Sequence, residues 1–179
     1  MTTIEQLSLQ GNVNTYNNAL LFQNQLLRVR NQHIRDIMSD YVHVPCRMEY
    51  VATICGIEFI NDAKAGNINA AWYSLESMTK PVIWIVNHGE VGEEFQKIVP
   101  LLRQKIKAVI LLGYTNNLPS VFSNYVERVY RADHIEHAVE LSYVVGKQGD
   151  AVLFCPAVNG YDEDYKQKGK IFSDAVKRL

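Results

Sequence analysis

The chain has 179 residues, 47% of them hydrophobic and 21% charged, with 18 basic against 19 acidic side chains and a formal charge of −1. That is enough apolar material to bury a core in one domain with at most a small appendage, and the balanced charge excludes a field drawing it to nucleic acid or to an anionic membrane. Cys46, Cys55 and Cys155 are too few and too scattered for a disulfide framework or a zinc site, Met1 to Gly11 carries no leader pattern, and no run approaches the ~18 to 20 apolar residues of a membrane span, so a cytoplasmic protein with reduced thiols is expected.

From Asn14 to Tyr41 the pattern is helical, with Leu20, Leu27, Ile34, Ile37, Met38 and Tyr41 in apolar positions and a break near Arg30 to Gln32, which predicts a helical pair closed by Pro45. Met48 to Ile54 and Ile57 to Ile60 follow as two short β runs around Cys55-Gly56, consistent with a hairpin. Ile68, Ala71, Trp72, Leu75 and Met78 then recur at helical spacing. Beyond them apolar runs alternate with amphipathic ones: Val82 to Val86; Phe95, Ile98, Val99 and Leu102; Ala108 to Gly113; a weak run at Val126 to Tyr130; Ile135, Ala138, Val139 and Val145; Ala151 to Phe154; and Tyr165, Phe172, Ala175 and Val176. Continuous apolar strands interleaved with helices predict an α/β fold, a mostly parallel sheet covered by helices.

In such sheets ligands gather outside the carboxyl ends of the strands. Four loops meet that condition: Asn61 to Asn67, Asn87 to Gly92, Gly113 to Asn117, and Cys155 to Asp162. The first places an acid, a lysine and two amides where a strand becomes a helix, and the free N–H groups and dipole of a helix start favour an anion. An ordinary turn, with Asp62 or Asn61 capping the helix and Lys64 in solvent, fits the same residues. In the other loops His88 beside Glu90 forms a candidate acid/base pair or a solvated turn, and Cys155 is a candidate nucleophile or an inert core thiol. Asp162-Glu163-Asp164 is a candidate metal site or a run of helix-start acids. Neither a Gly-x-x-x-x-Gly-Lys-Ser/Thr loop nor a Gly-x-Gly-x-x-Gly occurs, so no self-contained nucleotide cradle is present.

Several stretches, in order, resemble the Mur ligases, and among them the branch that adds D-glutamate to UDP-N-acetylmuramoyl-L-alanine in peptidoglycan synthesis. Leu9-Gln10-Gly11-Asn12-Val13-Asn14-Thr15-Tyr16-Asn17 is similar to the family's Gly-x-His-Asn-x-x-Asn segment. Cys46-Arg47-Met48-Glu49 stands where it has His-Arg-x-Glu, and Asn61-Asp62-Ala63-Lys64-Ala65-Gly66-Asn67 where it has Asn-Asp-Ser-Lys-Ala-Thr-Asn. Pro156-Ala157 and the helix from Tyr165 to Phe172 complete the match.

The resemblance implies a Rossmann-like carboxy-terminal domain over residues 45–179, preceded by a helical segment over 1–44 that corresponds to the end of the family's central domain. In the complete enzymes ATP phosphorylates a carboxylate and an incoming amine attacks the acyl phosphate. By carry-over, Asn14 contacts adenine, Arg47 reaches the phosphates, and Asp62 and Lys64 lie at the nucleotide. The amino-acid side falls at Gly66, Asn67, Val91, Gly160 and Tyr161. The family's phosphate loop, magnesium ligands and carbamylated lysine lie upstream of the matching region. Catalysis by this chain alone is therefore not expected, ATP binding is expected to be weak or vestigial, and magnesium would enter only with a complementing central ATPase domain.

The amino-acid pocket departs from the family: Gly66 replaces its threonine, Val91 its lysine, and Ala157-Val158-Asn159-Gly160 its Ala-Cys-Ala-Ser. Losing the lysine removes a charge-assisted partner for a carboxylate, worth roughly 1.5 to 3 kcal/mol. Three readings follow: the carboxy-terminal part of a D-glutamate-adding ligase, a degenerate stand-alone nucleotide-binding module, or a self-associating module driven by Leu20, Phe22 and Leu26.

Overall fold

The computed structural model describes residues 44–87, 93–113, 122–157 and 164–179. The chain divides into two units, Met1–His43 and Val44–Leu179, and the described residues all belong to the second. The helical pair expected between Asn14 and Tyr41 lies outside them, as do Asn14, His88, Glu90, Val91, Gly160 and Tyr161.

β1 (Glu49–Ile54) and β2 (Ile57–Asn61) form the expected antiparallel hairpin. Its two-residue turn is Cys55-Gly56, both at positive φ (49° and 79°), the backbone that a tight hairpin with right-handed twist demands. β1 starts one residue later than the apolar run suggests, because Met48 has φ 45° and is turned out of the strand. Four parallel strands follow: β3 (Val82–Asn87), β4 (Ile106–Leu112), β5 (Val129–Ala132) and β6 (Ala151–Phe154). The weak run from Val126 resolves into a turn with Val126 buried, and only Val129 onward pairs with β4.

The six-stranded sheet has the order β1-β2-β6-β3-β4-β5, so β6 lies between β2 and β3 and is parallel to both. Alternate residues of the central strands serve opposite layers. Val82, Trp84 and Val86 join Leu75, Phe95, Leu102 and Phe122 on one face; Ile83 and Ile85 join Phe59, Val139, Phe154 and Phe172 on the other. Trp84, Ile83 and Ile85 are fully buried, each such side chain contributing about 1.5–3 kcal/mol of transfer free energy. This explains why β3 and β6 read as unbroken apolar runs.

The first face is covered by α1 (Ile68–Ser77), a 3-10 turn (Glu93–Lys97) and α2 (Val99–Lys105); the second by α3 (Ile135–Val145) and α4 (Tyr165–Val176). Lys105 at the end of α2 closes the end of α1, its Nζ donating to the carbonyls of Leu75 (3.3 Å), Met78 (3.1 Å) and Glu76. A cation there suits the carbonyl end of a helix. Among the described residues, no helix is long and apolar enough to cross a membrane.

Candidate functional site at the carboxyl ends of the strands

β2 ends at Asn61, and the chain turns through Asp62 to Asn67 into α1. Asp62 N–H continues the pairing with β6 by donating to the Phe154 carbonyl (2.8 Å); Ala65 N–H then returns to the Asp62 carbonyl (3.0 Å) and Gly66 N–H to that of Lys64 (2.9 Å). The helix cap is Asn67, whose Oδ1 accepts from Ala70 N–H at 2.8 Å. This corrects the expectation that Asp62 or Asn61 caps: both precede the helix by too many residues to reach its first free N–H groups.

Those two residues are internal instead. Asn61 is 1% exposed; its Nδ2 donates to the Gly169 carbonyl (3.1 Å), Ser173 Oγ (3.3 Å) and Glu49 Oε2 (3.3 Å), while its Oδ1 accepts from Ala63 N–H (3.2 Å). Asp62 is 2% exposed, with one carboxylate oxygen accepting from Met48 N–H (3.1 Å) and the other from the Ser74 hydroxyl. Burial pushes its carboxyl above the ordinary carboxylate range, against the opposing pull of those two hydrogen bonds and the Arg47 charge.

The loop before β1 is laced to this turn. Lys64 N–H donates to the Cys46 carbonyl (3.0 Å), and Met48 N–H reaches Asp62, so Arg47 and Lys64 are carried on two connected loops at the same end of the sheet. Both cations are exposed, and Lys64 Nζ lies 5.9 Å from the centroid of the Tyr165 ring. A third loop joins at Ala157, whose N–H donates to the Ala65 carbonyl (3.0 Å). Gly66 contributes backbone only, and Asn67 commits its amide oxygen to the cap.

Cys155 is the inert member of the group. It is fully buried, its carbonyl accepts from Trp84 Nε1 (2.9 Å), and burial, reinforced by the Asp62 carboxylate, raises its thiol well above the ordinary value. A protonated buried thiol is a poor nucleophile.

One further loop escaped the sequence. Asp133 and His134, between β5 and α3, line a cavity of about 420 Å3 with Asn87, Leu112, Gly113, Ile135 and Lys168. His134 is the cap of α3, its Nδ1 accepting from His137 N–H (3.1 Å). The weak apolar run before it concealed the strand whose carboxyl end it marks. A larger cavity, about 600 Å3, runs along α3 and the end of α4 between Glu140 and Arg178, away from the loops of Arg47 and Lys64. Among the described residues, no three His, Cys, Asp or Glu side chains converge as a metal site.

Residues 46–158 match the sequence profile described as Mur ligase, glutamate ligase domain. The chain belongs to the Mur ligase family. It is 38% identical over 178 residues to the UDP-N-acetylmuramoylalanine--D-glutamate ligase of Christiangramia forsetii, a match covering 97% of this chain and 40% of that relative. The chain thus spans about two fifths of the length of the curated Mur ligases it matches. The fold is shared with a murein peptide ligase from Psychrobacter arcticus (TM-score 0.52, 12% identity, 75% of this chain and 30% of that one). It is shared also with a bifunctional folylpolyglutamate synthase/dihydrofolate synthase from Yersinia pestis, complexed with AMPPNP and Mn ion (TM-score 0.50, 14% identity, 76% of this chain and 32% of that one). The family resemblance and the α/β sheet expected from the sequence are both borne out.

Proposed function

We propose that this chain supplies the carboxy-terminal part of an ATP-dependent ligase that joins D-glutamate to UDP-N-acetylmuramoyl-L-alanine. The observation that carries the reading is the coupling of two loops at the carboxyl end of β2: the Lys64 N–H to Cys46 carbonyl bond sets Lys64 beside the loop of Arg47. Two exposed cations next to the start of α1 fit a nucleotide's phosphates. When bound, ATP supplies the phosphoryl group; Arg47 and Lys64 hold and orient it. The magnesium ligands and phosphate loop would come from a central ATPase domain, in the same polypeptide or a separate one, and Asn14 would meet the adenine.

The amino-acid edge carries less. Gly66 offers no side chain where the family has a threonine, and the residues that the resemblance assigns to that edge outside the described ones, Val91, Gly160 and Tyr161, include no cation in sequence. Affinity for D-glutamate would then be lower than in relatives that keep the lysine.

Calorimetric titration of the 179-residue chain with ATP tests the nucleotide half of the reading. Saturable binding at about millimolar concentration, weakened about tenfold or more by Lys64→Ala or Arg47→Ala, is expected; no heat at several times that concentration overturns it. Mixing the chain with the amino-terminal three fifths of the Christiangramia forsetii relative tests the ligase half. ADP release that requires both D-glutamate and UDP-N-acetylmuramoyl-L-alanine is the expected outcome.

A further inference from the structure

The loops of Arg47 and Lys64 lie at the carboxyl end of β2; the opposite end of the parallel strands carries a cavity that plays no part in that site. It measures about 380 Å3 and opens where α2 passes into β4 and where the chain turns into β5, at the amino ends of two neighbouring strands. Ile106 and Val126 line it as buried residues, and Arg103, Lys107, Glu127 and Arg128 bring charge to it.

Both segments that carry these charges are fixed. The Arg128 carbonyl accepts from Val109 N–H of β4 (2.9 Å), and the N–H groups of Tyr125 and Val126 both donate to the Phe122 carbonyl (2.9 Å each). The Arg103 guanidinium lies 5.3 Å from the centroid of the Tyr125 ring, which in turn lies 6.3 Å from the ring of Phe95, a core residue packed edge-on against Phe122. Stacking on an aromatic face holds a guanidinium without using its N–H donors.

The cations differ in what they already serve. Lys107 pairs with the buried Asp150 carboxylate, and the adjacent Lys105 is committed to the end of α1 and to Glu76. Among the described residues no carboxylate pairs with Arg103 or Arg128, and Glu127 in the same wall pairs with neither. The carbonyl end of a helix accounts for a cation at Arg103, in the last turn of α2, but not for Arg128, which precedes β5 outside any helix.

The geometry points to this cavity as a second anion site, one that takes a phosphate dianion, free or as a small monoester. Each guanidinium presents a planar fork of N–H donors, and the two belong to different elements. One fork fills both oxygens of a carboxylate, whereas the three terminal oxygens of a phosphate can accept from two forks. The site neither overlaps the proposed nucleotide site nor depends on it.

The test is titration of the 179-residue chain with inorganic phosphate and, separately, with glycerol 3-phosphate, at constant ionic strength and about pH 8, where both are mainly dianions. Backbone amide and arginine Nε–H signals are followed by NMR. Saturable shifts at Arg103, Lys107 and Arg128 are expected, with a Kd of about millimolar. Arg103→Ala and Arg128→Ala should each weaken binding about tenfold or more, and Arg103→Lys, which keeps the charge and loses the fork, should restore only part. Glu127→Gln should tighten binding about threefold by removing an acid beside the bound dianion. Arg47→Ala and Lys64→Ala should leave these shifts unchanged. Tighter binding of glycerol 3-phosphate identifies a monoester as the ligand, and binding of inorganic phosphate as tightly or more tightly identifies the free ion. Shifts confined to the loops of Arg47 and Lys64, or binding that survives in both arginine-to-alanine variants, overturn the inference. Succinate, a dicarboxylate, binding as tightly as phosphate overturns the assignment to phosphate.

Discussion

Gly169 of α4 and Cys46 of the loop before β1 are packed so closely that a Cβ added to the glycine would stand 2.4 Å from the cysteine Sγ. The same atom would lie 3.0 Å from the Asn61 amide, which is pinned by its own hydrogen bonds. Alanine in place of a helix-interior glycine gains about 1 kcal/mol of helix propensity. Overpacking of this kind costs about 1–3 kcal/mol, so the clash wins and Gly169→Ala is destabilising. Cys46→Ala removes the sulfur, and in that background the loss should shrink or reverse. Urea unfolding of the four proteins measures this; equal losses in both backgrounds would refute the contact as cause.

Asp62 carries a pH dependence with a definite sign. Its folded-state carboxyl is raised by burial, so between the unfolded value near 3.8 and the folded one the native state binds more proton than the unfolded state. Its contribution to stability is fully present below the unfolded value and is lost as pH rises through the folded one. Asp62→Asn removes the titration. The stability of Asp62→Asn relative to wild type should therefore be higher at pH 7 than at pH 4, and a gap independent of pH would contradict the assignment.

The thiols should react in order of access. Cys55, in the hairpin turn, is exposed, whereas Cys46 and Cys155 are buried with thiols raised by burial. Under native conditions a thiol reagent should modify Cys55 first, and the other two at rates set by unfolding. Mass spectrometry of a labelling time course reads the sites directly, and rapid native labelling of Cys155 would show that it is reachable after all.

Asn67 is testable as a cap. Asn67→Ala should cost about 1 kcal/mol, while Asn67→Asp or Asn67→Ser, which keep an acceptor for Ala70 N–H, should cost much less. Thermal melts of the three variants decide it. Three equal losses would mean that the amide serves another purpose.

Much of this was legible in advance, and the exceptions have physical reasons. The hairpin at Cys55-Gly56, the helix from Ile68 and the buried runs of β3, β4 and β6 follow from periodicity, because each is a local consequence of burying one face or two. The placement of β6 between β2 and β3 is a long-range pairing that no local pattern encodes. Asp62 reads as a site residue or a helix cap, and its burial goes unseen, because its partners, Met48 and Ser74, lie 14 and 12 positions away. β5 was blurred because an edge strand is covered less fully than a central one, and Val129 and Tyr130 are only partly buried. Family motifs single out Arg47 and Lys64; that their loops are tied together is a long-range contact no local pattern encodes.

The position of β6 bears on how this protein is made. β2 and β3 pair with each other nowhere; each waits for a strand translated after everything else in the sheet. Until Ala151–Phe154 is available, the hairpin and the β3-β4-β5 strands can pair only as two separate half-sheets, each with an unpaired edge. An open apolar edge of that kind invites pairing with other nascent chains. Chaperone dependence and aggregation during synthesis should therefore concentrate in the interval before this short strand leaves the exit tunnel.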